Sequence, residues 1–376
     1  MKKKTPPMGW NSWNTFGKDI SEQLIFAVAD RLVDSGLRDL GYDKLVIDDC
    51  WSSRRRDEHG HLVPDPEKFP HGMKAIADYL HERGLKLGMY SCAGNLTCGG
   101  HPGSFEHEFV DAATFAAWDV DFLKYDYCYH SKVVHGRYLY RRMGLALNNC
   151  GRDILFSACS WGEDDTARWI RETGADMWRS TYDIADAWQS VTKLSDEQET
   201  VLPFGGVGCV NDMDMLVVGM HGKGDVGVED QSDTQYKSHF SLWCLFGSPL
   251  MIGCDIREMS EPTRCILTNR DLIAIDQDED QRQVIKLEGI WGGPDKRLFA
   301  RFLADGDIAV GCFNFGSEPI VVSFTLDELG LNESTGKTLA MRELWTGETL
   351  TVENALFQRK IAPFDCLIYR CRVVDK

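Results

Sequence analysis

No stretch of the 376-residue chain stays apolar long enough to span a bilayer, which takes roughly 18–20 residues, so a membrane-crossing helix is excluded on length. Basic residues are outnumbered, 41 Lys and Arg against 58 Asp and Glu, and the formal charge is −17. That balance repels nucleic acid and anionic membrane surfaces at long range and suits a neutral ligand. Cys-x-x-Cys and Cys/His pairs at zinc-site spacing are missing, so no metal is expected, and no cofactor motif is present. Repeats, low-complexity tracts and flexible linkers are missing too. The opening "MKKKTPPMGW" is basic but reaches Pro6 and Pro7 without the apolar core of a signal peptide, so a cytoplasmic location is expected. The 13 cysteines are an odd number and several sit in apolar runs such as "SLWCLFGSP", where a thiol packs as a small hydrophobe; most are expected to be reduced.

What is present is alternation. Ile25, Val28, Ala29 and Leu32 form a helical stripe, followed by Gly36, Gly41 and the strand-like "KLVIDDCW". Met73, Ile76, Ala77 and Leu80 repeat the stripe before "KLGMYSCAG", and a third cycle from Ala112 to Trp118 enters "DFLKYDYC". With "PMGWNSW" ahead and "DILFSACSW", "ADMWRSTYDI", "VLPFGGV" and "SPLMIGCDI" behind, eight candidate strands alternate with helices. This predicts an α/β fold, a (β/α)8 TIM barrel over residues 1–283, with its site at the C-terminal strand ends. Beyond, "RLFARFL", "DIAVGCFNF", "PIVVSFTL" and "DCLIYRCRVV" alternate with turns and predict a small C-terminal antiparallel β domain, a sandwich, over 284–376. Whether copies of the chain assemble into a homo-oligomer stays open.

Polar residues gather at the predicted strand ends: Asp48, Asp49, Tyr90, Lys124, Asp126, Ser160, Arg179 with Asp183, and Asp212 with Asp214, with Trp13, Trp51 and Trp161 offering aromatic platforms. Lys124 and Asp126 are two apart and share one face of a strand. Two carboxylates across a pocket of aromatic and hydroxyl-binding groups suit glycoside hydrolysis. Each feature also has a structural reading. Lys124 with Asp126 and Arg179 with Asp183 are also what plain ion pairs look like, and one of Asp48 and Asp49 is placed to cap a turn. "HGH" at His59–His61 lies in the polar segment "RRRDEHGHLVPDPEKFP" and reads as a surface hairpin, not a metal site. "CGGHPGS" lacks the Lys-Ser/Thr of a phosphate loop and reads as a tight turn beside the site.

The ordered set "PPMGWNSWNTFG", "IDDCW", "GLKLGMYSCAGNLTCGGHPGS", "FLKYDYC", "WRSTYDI", "NDMDMLVVG", "SPLMIGCDIR" and "NRDLIAIDQD" over roughly residues 5–280 resembles glycoside hydrolase family 27, the α-galactosidase and α-N-acetylgalactosaminidase family. The resemblance implies a retaining hydrolase of terminal α-linked galactose on small carbohydrates. It makes Asp126 the nucleophile and Asp183 the acid/base, with the carboxyl groups about 5–5.5 Å apart. It implies sugar contacts from Asp48, Asp49, Lys124, Trp13, Tyr90, Trp161, Arg179, Asp214 and Cys98, and a disulfide between Cys98 and Cys128. Lys124 is then expected to keep Asp126 ionised, and Arg179 to be shared with substrate rather than paired tightly with Asp183. Ser160 falls where many α-galactosidases carry an acid that reads the 2-hydroxyl and where acetamido-sugar members carry serine, although Glu163 stands where those members have a small alanine. An α-N-acetylgalactosaminidase is therefore the alternative. Intact Asp48 and Asp49 favour galactose over the β-L-arabinopyranosidase variant, and the longer loop at 219–231, set against the animal enzymes and with bacterial-type loop geometry nearby, is expected to shape the aglycone side. A catalytically silent sugar-binding module on the same fold is the remaining reading. Cys92, where an aspartate is common, has no reading from sequence.

Overall fold

Short apolar runs separated by amphipathic helices build a parallel sheet because its strands need cover on the helix side and a filled interior on the other. In the computed structural model, which describes residues 5–376, the strands are β1 (Met8–Asn11), β2 (Lys44–Val46), β3 (Lys86–Cys92), β4 (Phe122–Asp126), β5 (Leu155–Ala158), β6 (Met177–Arg179), β7 (Val210–Asp212) and β8 (Leu250–Ile252). Residues 1–4, with the three lysines that entered the location argument, lie outside the described residues. All pairings are parallel, in the order β7-β6-β5-β4-β3-β2-β1-β8. A parallel bridge from Leu216, just past β7, to Ile252 of β8 closes the ring, with the Leu216 N–H donating to Met251 O at 2.8 Å. The helices within this unit are α1 (Trp13–Phe16), α2 (Glu22–Asp34), α3 (Gly72–Glu82), α4 (Glu108–Ala117), α5 (Gly136–Asn149) and α6 (Trp188–Glu199). Ser21 caps α2 by accepting the Leu24 N–H, and the predicted stripe Ile25, Val28, Ala29 and Leu32 is fully buried.

One expected strand lies elsewhere. "VLPFGGV" is not a strand: Leu202–Phe204 is a 3-10 turn around Pro203, and the seventh strand is Val210–Asp212. Pro203 lacks the N–H a central strand needs, and Gly205 and Gly206 end the turn. The barrel interior contains a cluster of Val46, Phe122, Met177, Val210, Met215 and Met251, with Leu155 packed against it. This cluster sets the phase of the strands. Counting on by two from Val46, Phe122, Leu155, Met177 and Val210 reaches Asp48, Lys124 and Asp126, Cys159, Arg179 and Asp212, so these side chains face inward above it.

The barrel unit comprises Pro6–Asp230 and Pro249–Ser260. The second unit contains Gln231–Ser248 and Glu261–Lys376, so α7 (Asp233–Phe246), α8 (Glu261–Leu267) and α9 (Arg270–Asp276) group with the C-terminal strands. The change of texture read near residue 284 falls between α9 and β9 (Ile285–Lys286). Then follow β10 (Lys296–Phe302), β11 (Ile308–Asn314), β12 (Ile320–Thr325), β13 (Lys337–Glu343), β14 (Thr349–Thr351), β15 (Leu356–Ile361) and β16 (Cys366–Asp375). They form an antiparallel six-stranded sheet, β14-β13-β16-β11-β10-β9, and a two-stranded ribbon, β12-β15. One core joins Leu298, Val310, Leu339 and Tyr369 of the larger sheet to Val322, Phe324, Phe357 and Ile361 of the ribbon, which makes the domain a sandwich. Gly311 is needed where α7 crosses the sheet, because a Cβ there would lie 2.5 Å from Leu245 Cδ2. Among the described residues no helix is long and apolar enough to cross a membrane.

Candidate active site

The inward positions converge on a cavity of about 120 Å³ at the C-terminal end of the barrel. This is well below the roughly 300–1,000 Å³ of pockets that take drug-sized ligands, and it suits one sugar ring. Asp126 ends β4 and lines the cavity. Its Oδ1 accepts the Tyr127 N–H at 2.9 Å and its Oδ2 accepts the Tyr90 hydroxyl at 3.0 Å. Asp48 and Asp49 follow β2, both buried, and each has a distinct anchor. Asp48 Oδ2 accepts from Asn11 Nδ2 at 2.6 Å and from Lys124 Nζ at 2.8 Å; Asp49 Oδ2 accepts the Gly99 N–H at 2.6 Å. The turn read from "CGGHPGS" therefore holds Asp49 in place. A Cβ on Gly99 would sit 2.4 Å from Cys50 Sγ, so only glycine brings that N–H so close.

A disulfide joins Cys98 to Cys128 and ties this turn to the segment after β4. Cys98 lines the cavity with its sulfur 3.3 Å from the Tyr90 hydroxyl. Cys92, on the same face of β3 as Tyr90, is buried and donates its thiol to Cys128 O at 2.9 Å. Burial, with Asp126 nearby, keeps that thiol well above its usual range and hence protonated. It supports the backbone under the disulfide.

On the opposite side Arg179, 3% exposed, spans two carboxylates: Nη2 lies 2.6 Å from Asp183 Oδ1 and Nη1 lies 2.9 Å from Asp214 Oδ1. Asp214, itself in the left-handed region at φ 78°, also accepts the Ile184 N–H at 2.7 Å. Contrary to expectation, Arg179 pairs tightly with Asp183. Asp183, with its side chain 73% exposed, is the exposed partner of a buried guanidinium. Arg179 outweighs desolvation there and holds the Asp183 carboxyl below its usual range.

Asp126 shows the reverse. Desolvation outweighs Lys124 and pushes its carboxyl up to about 6, so the lysine does not dominate as expected. The geometry gives the reason: the Lys124 ammonium is engaged with Asp48, whose charge raises the lysine above its usual range despite burial. Behind the pocket, burial likewise lifts Asp212 to about 6, and its Oδ1 accepts the Asp214 N–H at 2.9 Å. A larger, more open depression of about 750 Å³ on the β domain carries no such set: its Arg342 and Arg370 are paired with Asp271, Asp305 and Asp307.

The family model for alpha galactosidase A matches residues 5–278, and that for the alpha galactosidase C-terminal beta sandwich domain matches residues 293–371. Alpha-galactosidase 3 of Arabidopsis thaliana is 42% identical over 375 residues, covering 97% of this chain and 81% of its own length. The crystal structure of alpha-galactosidase I from Mortierella vinacea superposes with a TM-score of 0.89 at 32% identity, covering 98% of this chain and 96% of that one. The structure of the Saccharomyces cerevisiae α-galactosidase with raffinose gives 0.91 at 30% identity, covering 98% of both. The chain belongs to the α-galactosidase family. It is a glycoside hydrolase of family 27.

Within that family frame two sequence expectations need correction. Ser160 does not line the cavity. It is fully buried, its hydroxyl 2.7 Å from that of Thr166, because the inward phase of β5 passes through Leu155 and Cys159 and leaves Ser160 on the outer face. Cys159 and Trp161 line the pocket instead, and the two-residue period was the signal available for Cys159. Trp51 is no sugar platform: its indole N–H donates to Tyr90 O at 2.9 Å and its rings pack on Phe115 and Trp118 of the α4 side. Trp13, in α1, and Trp161 do line the cavity. Asn14, Ile184, Met215 and Val226 line it too and were not anticipated; they come from loops and a short helix, where no period marks a face. His61 pairs with Asp57 in a hairpin bridged at Ser52 and Pro64.

Proposed function

We propose that the protein is a retaining α-galactosidase that removes terminal α-linked galactose from short oligosaccharides, with Asp126 as nucleophile and Asp183 as acid/base. The observation that carries this reading is the placement of Asp126 and Asp183 on one sugar-sized cavity beside three groups suited to fixed hydroxyls, Asp48, Asp49 and Lys124. An Asp126 oxygen bonds to the anomeric carbon as the glycosidic C–O bond breaks, and the leaving oxygen takes the Asp183 proton. Water then bonds to the same carbon, gives its proton to Asp183 and releases the Asp126 carboxylate.

The electrostatics of the pocket fit this cycle when substrate binds. Near neutral pH an Asp126 carboxyl titrating at about 6 is mostly ionised. A bound sugar would cover the exposed Asp183 carboxyl and draw Arg179 toward its hydroxyls, and both changes raise Asp183 toward the protonated form. Once Asp126 is an ester its charge is gone, and Asp183 falls again and serves as base. The outward-facing Ser160 removes the observation that favoured an acetamido sugar.

Initial rates on 4-nitrophenyl α-galactoside and its N-acetylgalactosaminide, with Asp126→Ala alongside, test the proposal. Galactoside turnover that is lost in the variant, with the α anomer of galactose appearing first by NMR, supports it. Preference for the acetamido sugar, or first release of the β anomer, would overturn the substrate or the stereochemical assignment.

A further inference from the structure

Resting on the α-galactosidase reading, we infer that residues 226–228 of the loop after β7, together with Tyr182, form a ledge that receives the leaving sugar and sets the preference for oligosaccharides over small aglycones. The cavity takes one ring, so the rest of the substrate lies outside it. It lies on the side of Asp183, which must reach the glycosidic oxygen and which has the most exposed carboxyl in the pocket. Chain neighbours of Asp183 and their partners supply apolar surface there. Ile184 and Val226 line the cavity, and Val228, one strand period beyond Val226, is 65% exposed. Tyr182, immediately before Asp183, is 54% exposed. Exposed aliphatic and aromatic side chains beside a sugar pocket fit the C–H face of a second sugar.

The loop is held rather than loose. The Asp186 N–H donates to Val226 O at 3.0 Å, the Glu229 N–H donates to Asp186 O at 2.9 Å, and the Gly222 N–H donates to Asp186 Oδ2 at 2.7 Å. These bonds flank a parallel bridge between Asp186 and Gly227, so Val226 and Val228 share a face. Gly227 packs so closely that a Cβ would lie 2.4 Å from Gly222 O. Asp186 is fully buried, which makes it a positioning residue for the ledge.

The test compares kcat/KM on raffinose with kcat/KM on α-galactosyl fluoride, whose leaving group makes no use of a ledge, in the wild type, Val228→Asp, Tyr182→Ala and Tyr129→Ala. Tyr129 is 62% exposed beside the disulfide, next to a different part of the pocket wall, and is the control. The expected result is a fall of about tenfold in the raffinose-to-fluoride ratio for Val228→Asp and for Tyr182→Ala, the scale of one lost apolar contact, and a ratio within twofold of wild type for Tyr129→Ala. Turnover of the fluoride shows that each variant is folded. An unchanged ratio in Val228→Asp overturns the ledge, as does a loss confined to Tyr129→Ala. A wild type that leaves the fluoride intact overturns the α-galactosidase reading itself and the ledge with it.

Discussion

Replacing Tyr90 by phenylalanine removes one hydrogen bond from Asp126 and little else. The Tyr90 hydroxyl donates to Asp126 Oδ2 at 3.0 Å, both groups are buried, and the ring that Lys124 Nζ approaches at 5.4 Å is retained in phenylalanine. In the native pocket, burial has already moved Asp126 from 3.8 to about 6. That is about 3 kcal/mol against the ionised form, at 1.36 kcal/mol per pH unit. A hydrogen bond to a charged group contributes about 1.5–3 kcal/mol to the ionised form, so its loss moves the titration upward by about one pH unit or more. On α-galactosyl fluoride, whose leaving group needs no proton from Asp183, the pH dependence of kcat/KM reports Asp126 in the free enzyme, so the wild type should lose activity below about 6, with roughly a tenfold fall between pH 7 and 5. In Tyr90→Phe the same limb should lie near 7 or above. A wild-type limb near the ordinary carboxylate value, or a variant limb that stays or moves toward acid, would refute the assignment of this limb to a desolvated Asp126 steadied by Tyr90.

Asp126→Asn should abolish turnover while stabilising the fold at pH 7. A carboxyl raised in the folded state resists ionisation there, so stability is lost as pH rises from 3.8 to about 6, and the neutral amide should recover up to about 3 kcal/mol in urea unfolding. Lys124→Met should do the reverse: Asp48, 2% exposed, loses its buried partner at 2.8 Å, and stability should fall by about 3 kcal/mol or more, with sugar binding lost in calorimetry. Ser160→Ala should leave the ratio of galactoside to acetamido-sugar turnover within about twofold of wild type, and should lower stability by about 1 kcal/mol through the lost Thr166 contact. A swing in that ratio would return Ser160 to the pocket. Replacing Cys98 and Cys128 by serine should cost about 3.5 kcal/mol for a loop of 30 residues and raise KM, because Gly99 and its hold on Asp49 lie in that loop.

By itself the sequence determined the barrel and most of the site, because both rest on period. Helical stripes such as Ile25, Val28, Ala29 and Leu32 and strand runs such as "FLKYDYC" state their buried face locally, and Lys124 and Asp126 follow from Phe122 by counting in twos. Where the signal was composition rather than period it misled: "VLPFGGV" is apolar but broken by proline and glycines, while the true seventh strand, "VND", is three residues long with one apolar member. β13 and β15 also escaped, since "KTLAMRE" and "LFQRKI" mix charged with apolar residues.

Tertiary structure alone decided three things. Ser160 faces outward and Cys159 inward, because strand phase is set by which neighbours fill the barrel. Lys124 is bound to Asp48 and Arg179 to Asp214, pairings between residues up to 76 positions apart that no local pattern states. Asp126 consequently has the raised carboxyl and Asp183 the lowered one, because desolvation and charge depend on distances in space, and those exist only once the strands close the ring.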